Sequence, residues 1–228
     1  MINAFGTSYG DFTAQASNLF SLAGQWDNMI AYESPDFAGF KVFAQYGMGS
    51  NDHENESSSD RFYSLGFTYN NGPFAGYFAV DSINYKTAKF GAKEFPRNGN
   101  DIADSLTVTL GGSYDFDVVR IYLVAQYFDE VRLASISGVL NQAGDGEPFD
   151  PRVDTPINEI AKIKGYGISL TGDAPLGGGK AMFGIGYLDA ETADSMAGFL
   201  AKNKEGVRDF DIKRYVVSVG YSYPFRTL

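Results

Sequence analysis

Residues 61–80, RFYSLGFTYNNGPFAGYFAV, set the period for the rest of the chain. Tyr63, Leu65, Phe67 and Tyr69 share one face of an extended segment, and Phe62, Ser64, Gly66 and Thr68 share the other. Asn70-Asn71-Gly72-Pro73 supplies turn chemistry, and Phe74, Gly76, Phe78 and Val80 carry an apolar face back. A period of two bounded by Asn, Gly and Pro predicts strand–turn–strand. The apolar side starts and ends on aromatic residues, while the opposite side carries mostly small groups. Such a hairpin suits the wall of a transmembrane β-barrel better than a soluble sandwich.

The same period recurs along the chain. Trp26–Ser34 is predicted as a strand with Ile30 and Tyr32 on one face, followed by a turn at Ser34-Pro35-Asp36. Phe40, Val42, Ala44 and Tyr46 then face outward, with Lys41, Phe43 and Gln45 inward. Leu106, Val108, Leu110 and Tyr114 alternate with Thr107, Thr109, Gly111 and Ser113. After a connection at Asp115-Phe116-Asp117, Val119, Ile121, Leu123, Ala125 and Tyr127 alternate with Arg120, Tyr122, Val124 and Gln126. Tyr166, Ile168 and Leu170 mark another strand, Thr171–Gly179 a Gly/Pro-rich turn, and Ala181, Phe183, Ile185 and Tyr187 the return. Tyr215, Val217, Val219, Tyr221 and Tyr223 oppose Arg214, Ser218, Gly220 and Ser222 in the last strand, with a turn at Pro224-Phe225. Residues 1–25 hold no stable period and are read as loop, with a short helix over Ala14–Leu22.

These readings give nine strands, with short connections near 35, 71, 116 and 175 and long ones near 55, 95, 145 and 200. The predicted fold is all-β, an antiparallel up-and-down transmembrane barrel wall. Outer-membrane barrels gather short turns at one end and long loops at the other. Mean hydropathy is −0.19. No run of about 18 apolar residues exists, so a spanning helix is excluded, whereas a barrel strand needs only about 9–11 residues. The 27 glycines, 15 tyrosines and 19 phenylalanines fit small lumen-facing positions and aromatic girdles.

The net charge of −10 disfavours nucleic-acid binding. The long loops at 49–60, 129–161 and 189–211 are acidic. They are solvated loops on the bland reading, or sites where a divalent cation bridges to lipopolysaccharide. With no cysteine there is no disulfide or thiol metal site. His53 is the only histidine, which leaves no transition-metal set and no credible Ser–His hydrolase. Gly144 to Asp154 does not fit a calcium loop, and Gly179-Lys180 is followed by Ala181 where a phosphate loop has Ser or Thr. No cofactor and no catalytic set are expected. The start, MINAFGTSYGDF, lacks the basic-then-apolar pattern of a signal peptide, so an envelope protein beginning here is expected to be a mature form or a fragment.

Asp27-Asn28-Met29-Ile30-Ala31-Tyr32-Glu33-Ser34-Pro35, Phe37-Ala38-Gly39-Phe40 and Gln45-Tyr46-Gly47 carry a family likeness. Tyr63-Ser64-Leu65-Gly66, Tyr69-Asn70-Asn71-Gly72-Pro73 and Val219-Gly220-Tyr221-Ser222-Tyr223-Pro224 extend it in order. The chain resembles the general (trimeric) porins of Gram-negative outer membranes. The resemblance implies a single porin-type domain over residues 1–228, in which the nine strands are the sixth to fourteenth of a sixteen-stranded barrel. Residues 1–25 then become a remnant of the inward-folded constriction loop, and the first and last strands lie outside the chain. Nine strands alone form an open curved sheet or partial barrel.

The resemblance further implies passive diffusion of ions and small hydrophilic solutes through a water-filled channel in the outer membrane, and a homotrimer at full length. Outer-membrane lipid and lipopolysaccharide are the implied partners. Strand parity makes Lys41, Arg120 and Arg214 the basic pore-lining candidates, because an Arg facing lipid near mid-membrane costs about 2–4 kcal/mol. The competing reading makes them rim charges without a role in selectivity. Asp11 and Asp27 are the acidic candidates nearest the constriction-loop remnant. Two other functional classes compete. A soluble β-sandwich binding module with a loop-borne ligand site buries the Tyr/Phe face between two sheets. An outer-membrane enzyme needs a catalytic set that the sequence does not offer.

Overall fold

The computed structural model describes residues 19–21, 28–48, 61–84, 89–90, 93–94, 103–132, 162–194 and 211–224. In chain order the strands are β1 (Met29–Glu33), β2 (Phe40–Met48), β3 (Arg61–Asn71), β4 (Phe74–Asn84), the two-residue β5 (Lys89–Phe90) and β6 (Lys93–Glu94), β7 (Ser105–Asp115), β8 (Arg120–Arg132), β9 (Lys162–Leu176), β10 (Gly179–Thr192) and β11 (Asp211–Ser222). Nine of them form one antiparallel sheet in the order β1-β2-β3-β4-β7-β8-β9-β10-β11, and β5 pairs with β6. Every neighbour in the large sheet is a neighbour in sequence once that small pair is set aside. This is the up-and-down meander the alternation predicts. The sheet does not close on itself: β1 and β11 are its edges.

The short connections all fall at one end of the strands. Asn71 pairs with Phe74 across Gly72-Pro73, and Leu176 pairs with Gly179 across Gly177-Gly178. Two-residue hairpins demand positive φ, and Gly177 and Gly178 adopt +54° and +80°. Asp115 pairs with Arg120 across residues 116–119. Between β1 and β2, the Gly39 amide donates to Asp36 Oδ1 at 2.7 Å, and Gly39 has φ of +89°. Its Cα also faces the Asn70 carbonyl so closely that any Cβ would collide with it. Glycine is therefore required at position 39 on two counts.

One face of the sheet is apolar and exposed. The pairs Val42↔Phe67, Phe67↔Phe78, Phe78↔Leu110, Leu110↔Ala125, Ala125↔Ile168 run in one line across the strands. Leu110 is 61% exposed and Val217 78%, values that suit contact with hydrocarbon and not a core. Aromatic rings frame the band. Toward the long connections lie the ring pairs Tyr46–Tyr63 (5.3 Å), Tyr166–Tyr187 (6.1 Å) and Tyr187–Tyr215 (4.9 Å). Toward the turns lie Phe40–Phe67 (5.8 Å), Tyr69–Phe74 (6.2 Å) and Tyr114–Phe116 (4.6 Å). On β2, β3 and β11 the framing residues, Phe40 and Tyr46, Tyr63 and Tyr69, Tyr215 and Tyr221, stand six positions apart. That spacing is about 20 Å along a strand. Constant spacing over distant strands is the mark of a slab-shaped surrounding.

The sandwich reading fails here: the Tyr/Phe face is exposed on a single sheet. Strand limits also need correction. Thr171–Gly179 is not a turn; Thr171 to Leu176 continue β9, and only Gly177-Gly178 turn. Pro175 is tolerated because β8 begins at Arg120, opposite Asp173, so residue 175 has only β10 beside it. At the other end, β4, β8 and β10 run on to Asn84, Arg132 and Thr192, and β9 starts at Lys162. The ladder outlasts the apolar alternation there, and β8 takes a register shift between Phe128 and Val131, with Glu130 at φ +52°. The first strand is Met29–Glu33 and excludes Ser34, whose hydroxyl accepts the Val42 amide at 2.9 Å. Most of the helix expected over Ala14–Leu22, the acidic stretches 49–60 and 133–161 with His53, and Phe225 lie outside the described residues.

An outward charge should be expensive and an inward one cheap. Leu110→Arg is expected to lower unfolding free energy in phospholipid vesicles by about 2–4 kcal/mol. Ser113→Arg, on the opposite face of the same strand, should cost under about 1 kcal/mol. Urea titration of both variants checks the difference.

Candidate pore-lining face

The inner face is built from the other parity of every strand. One line across it reads Lys41↔Thr68, Thr68↔Tyr77, Tyr77↔Gly111, Gly111↔Val124, Val124↔Ser169, Ser169↔Gly186, Gly186↔Val216. Small residues dominate, and where one leaves a gap a neighbouring ring fills it. The Tyr77 ring lies over Gly111, where a Cβ would strike it. This face is not uniformly polar, which departs from the expected small and polar lining. Val124, Phe128, Val131, Ile163, Leu188 and Ala190 form a buried apolar cluster on β8, β9 and β10.

Leu19 and Phe20 cover that cluster, 0% and 4% exposed. Two glycines make the seat: a Cβ on Gly167 would meet the Leu19 carbonyl, and one on Gly186 the Leu19 methyl. Gln126 fastens the segment. Its Oε1 accepts the Ser21 amide at 2.7 Å, and its Nε2 donates to the Ser21 carbonyl at 3.2 Å and to Thr109 Oγ1 at 3.0 Å. A buried amide side chain satisfied in this way fixes the backbone it holds. Leu19–Ser21 is thus held against the side of the sheet opposite the apolar band.

A second polar group lies at the turn end. Arg120 bonds Asp115 through Nε at 3.1 Å and through Nη2, and Asp115 Oδ1 also accepts the Asp117 amide at 3.0 Å. Tyr122, almost wholly buried, donates to Asp173 Oδ1 at 2.9 Å. Lys180 Nζ lies 3.0 Å from Asp173 Oδ2.

A protein-family model described as Gram-negative porin matches residues 1–227. The chain belongs to the Gram-negative porin family. An outer membrane porin protein of Bordetella pertussis is 24% identical over 204 residues, covering 80% of this chain and 48% of that protein. The chain therefore spans about half the length of the curated relative it matches. No solved structure matches it. This porin belongs to the outer membrane of a Gram-negative bacterium, as the resemblance implied, and its all-β meander is the expected barrel wall in partial form.

In this porin Lys41, Arg120 and Arg214 all occupy inward register positions, opposite Thr68, Asp173 and Leu188 respectively. They are not brought together. They sit on β2, β8 and β11 in three different lines of the sheet, and Lys41 is bridged to Glu33 at 2.6 Å. Asp11 and Asp27 lie outside the described residues. Among the described residues no group of three His, Asp or Glu side chains is placed to hold a metal ion. Sequence reasoning missed Gln126 as a clamp, the Gly167–Gly186 seat, and the Tyr122–Asp173–Lys180 set. Hairpin register gives Asp115 opposite Arg120. The Tyr122–Asp173 bond joins residues 51 apart in the chain and leaves no local sign.

Gln126→Ala removes two bonds to Ser21 while leaving the strand ladder intact. The loss of a buried hydrogen-bonding partner costs about 1–3 kcal/mol, so amide exchange at Ser21 should accelerate about tenfold or more with little change at Val124 or Phe128. Hydrogen exchange read by mass spectrometry checks this.

Proposed function

We propose that this porin forms part of the wall of a water-filled channel through which ions and small hydrophilic solutes diffuse passively across the outer membrane. The single observation that carries the reading is the division of one sheet into two unlike faces. An exposed apolar band framed by aromatic rings suits lipid, and a face of small and charged groups suits water. Barrels of about sixteen strands leave an aqueous lumen. Selectivity then follows from the lumen's radius and its charges.

In this reading Lys41, Arg120 and Arg214 line the passage, and Asp11 and Asp27 are acidic groups of its narrow part. Residues 1–25 belong to an inward-folded loop that narrows the lumen. The seating of Leu19–Ser21 on the inner face supports that assignment. Outer-membrane lipid and lipopolysaccharide surround the barrel, and the complete porin assembles as a homotrimer. The reading asks nothing of catalysis or a cofactor.

The complete porin that contains this chain, reconstituted in a planar bilayer, should give stepwise currents whose size rises in proportion to salt concentration. A correctly inserted barrel that gives no steps would sink the channel reading.

A further inference from the structure

A turn that meets only water is built of polar and small residues. The β7–β8 connection at residues 116–119 departs from that rule: Phe116 is 54% exposed and Val118 72%. Exposed rings and apolar groups at this level suit a lipid interface, where an amphipathic aromatic belt meets headgroups. The β3–β4 turn lies beside this connection, and the Asp115 amide ties the two together by donating to the Pro73 carbonyl at 3.0 Å. Between them is an open-sided cleft of about 590 Å³, lined by Pro73, Tyr114, Asp115, Phe116 and Asp117. That volume falls in the range of small-ligand sites and has room for a single headgroup.

The backbone holds the cleft in shape. The Phe116 amide donates to the Val119 carbonyl at 2.9 Å, and the Asp117 amide to Asp115 Oδ1 at 3.0 Å. The two carboxylates are not equivalent. Arg120 pairs with Asp115 and balances its charge. Asp117 is exposed, and no described residue donates to its carboxylate. Among the described residues the cleft thus carries one uncompensated negative charge. Its wall is the Tyr114–Phe116 pair, with ring centroids 4.6 Å apart and planes inclined at 50°. Aromatic faces attract a cation through their quadrupole, and a carboxylate beside them supplies the counter-charge. An anion is repelled by both.

Tyr114 pairs with Phe74 in the aromatic frame at the turn end of the apolar band, which sets the cleft at headgroup level. Short turns of an outer-membrane barrel face the periplasm. The leaflet on that side is phospholipid. We propose that the cleft binds the headgroup of a phospholipid that carries a primary ammonium, of the ethanolamine type. The ammonium lies against Tyr114 and Phe116 and donates to the Asp117 carboxylate. Its three hydrogens suit that carboxylate, whereas a trimethylammonium has none to give. The acyl chains run along the apolar band past Phe74. The site goes beyond the channel reading and rests only on the membrane placement of the sheet, so stepwise currents are expected whether or not this lipid binds.

The test uses the complete porin in detergent, titrated with dioleoyl-phosphatidylethanolamine or dioleoyl-phosphatidylglycerol and read by native mass spectrometry. The first ethanolamine lipid should bind about fivefold more tightly than the first glycerol lipid. Asp117→Asn should weaken the ethanolamine step about fivefold without weakening the glycerol lipid, and Asp117→Glu should restore most of it. Phe116→Leu, which keeps an apolar group and removes the ring, should also weaken it. Equal binding of the two lipids by the native protein would overturn the site, and that comparison stands even if a variant fails to fold. An ethanolamine step unchanged in Asp117→Asn would overturn it too. Free ethanolamine displacing the lipid mole for mole would overturn the lipid assignment, because the cleft would then serve a soluble cation.

Discussion

A backbone that crosses hydrocarbon has no water to satisfy its N–H and C=O groups, so each must find a partner in the protein. In this chain the ladder joins each strand to the next from β1 to β11, with a register shift between Phe128 and Val131 on β8. Once that ladder is fixed, side chains can only point to one face or the other, and the two solvents sort them. Large apolar and aromatic groups take the side with lipid; small and charged groups take the other. The same requirement bears on β1 and β11, whose outer edges in the described sheet need pairing partners within a bilayer.

The inner face is not simply the polar remainder. Glycine recurs there because something else must come close: the Tyr77 ring at Gly111, the Leu19 backbone at Gly167, the Leu19 side chain at Gly186. Its apolar cluster stays dry because Leu19 and Phe20 cover it. Its charges are compensated locally, Lys41 by Glu33, Arg120 by Asp115, Lys180 by Asp173. Each of these three basic residues is thus half of a pair.

Much of this was legible in the period of two. The outward sets on β2, β3, β7, β8 and β11 were read correctly, since lipid imposes apolarity without regard to neighbouring strands. Strand ends were not legible where the chain leaves the lipid band. Lys162, Lys164, Glu191 and Thr192 continue the ladder but carry no apolar signal. The Thr171–Gly179 stretch misled because Gly, Pro and Asp signal turns locally, whereas Pro175 lies beyond the reach of β8. The burial of Phe128 and Leu188 had no local signal, since the segment covering them lies more than a hundred residues away in the chain. Parity placed Lys41, Arg120 and Arg214 inward, yet it could not supply cross-strand partners such as Asp173.

The most direct measurement takes advantage of a chain with no cysteine. Single cysteines placed in turn at residues 63 to 69 of β3, in the complete porin reconstituted in vesicles, report which solvent each position meets. At Tyr63, Leu65, Phe67 and Tyr69 an attached fluorophore should be quenched by nitroxide-labelled lipid, and at Ser64, Gly66 and Thr68 a membrane-impermeant thiol reagent should react. The two readouts should alternate in antiphase along the strand. Uniform labelling by the aqueous reagent, or lipid quenching at both parities, would contradict a wall with lipid on one side and water on the other.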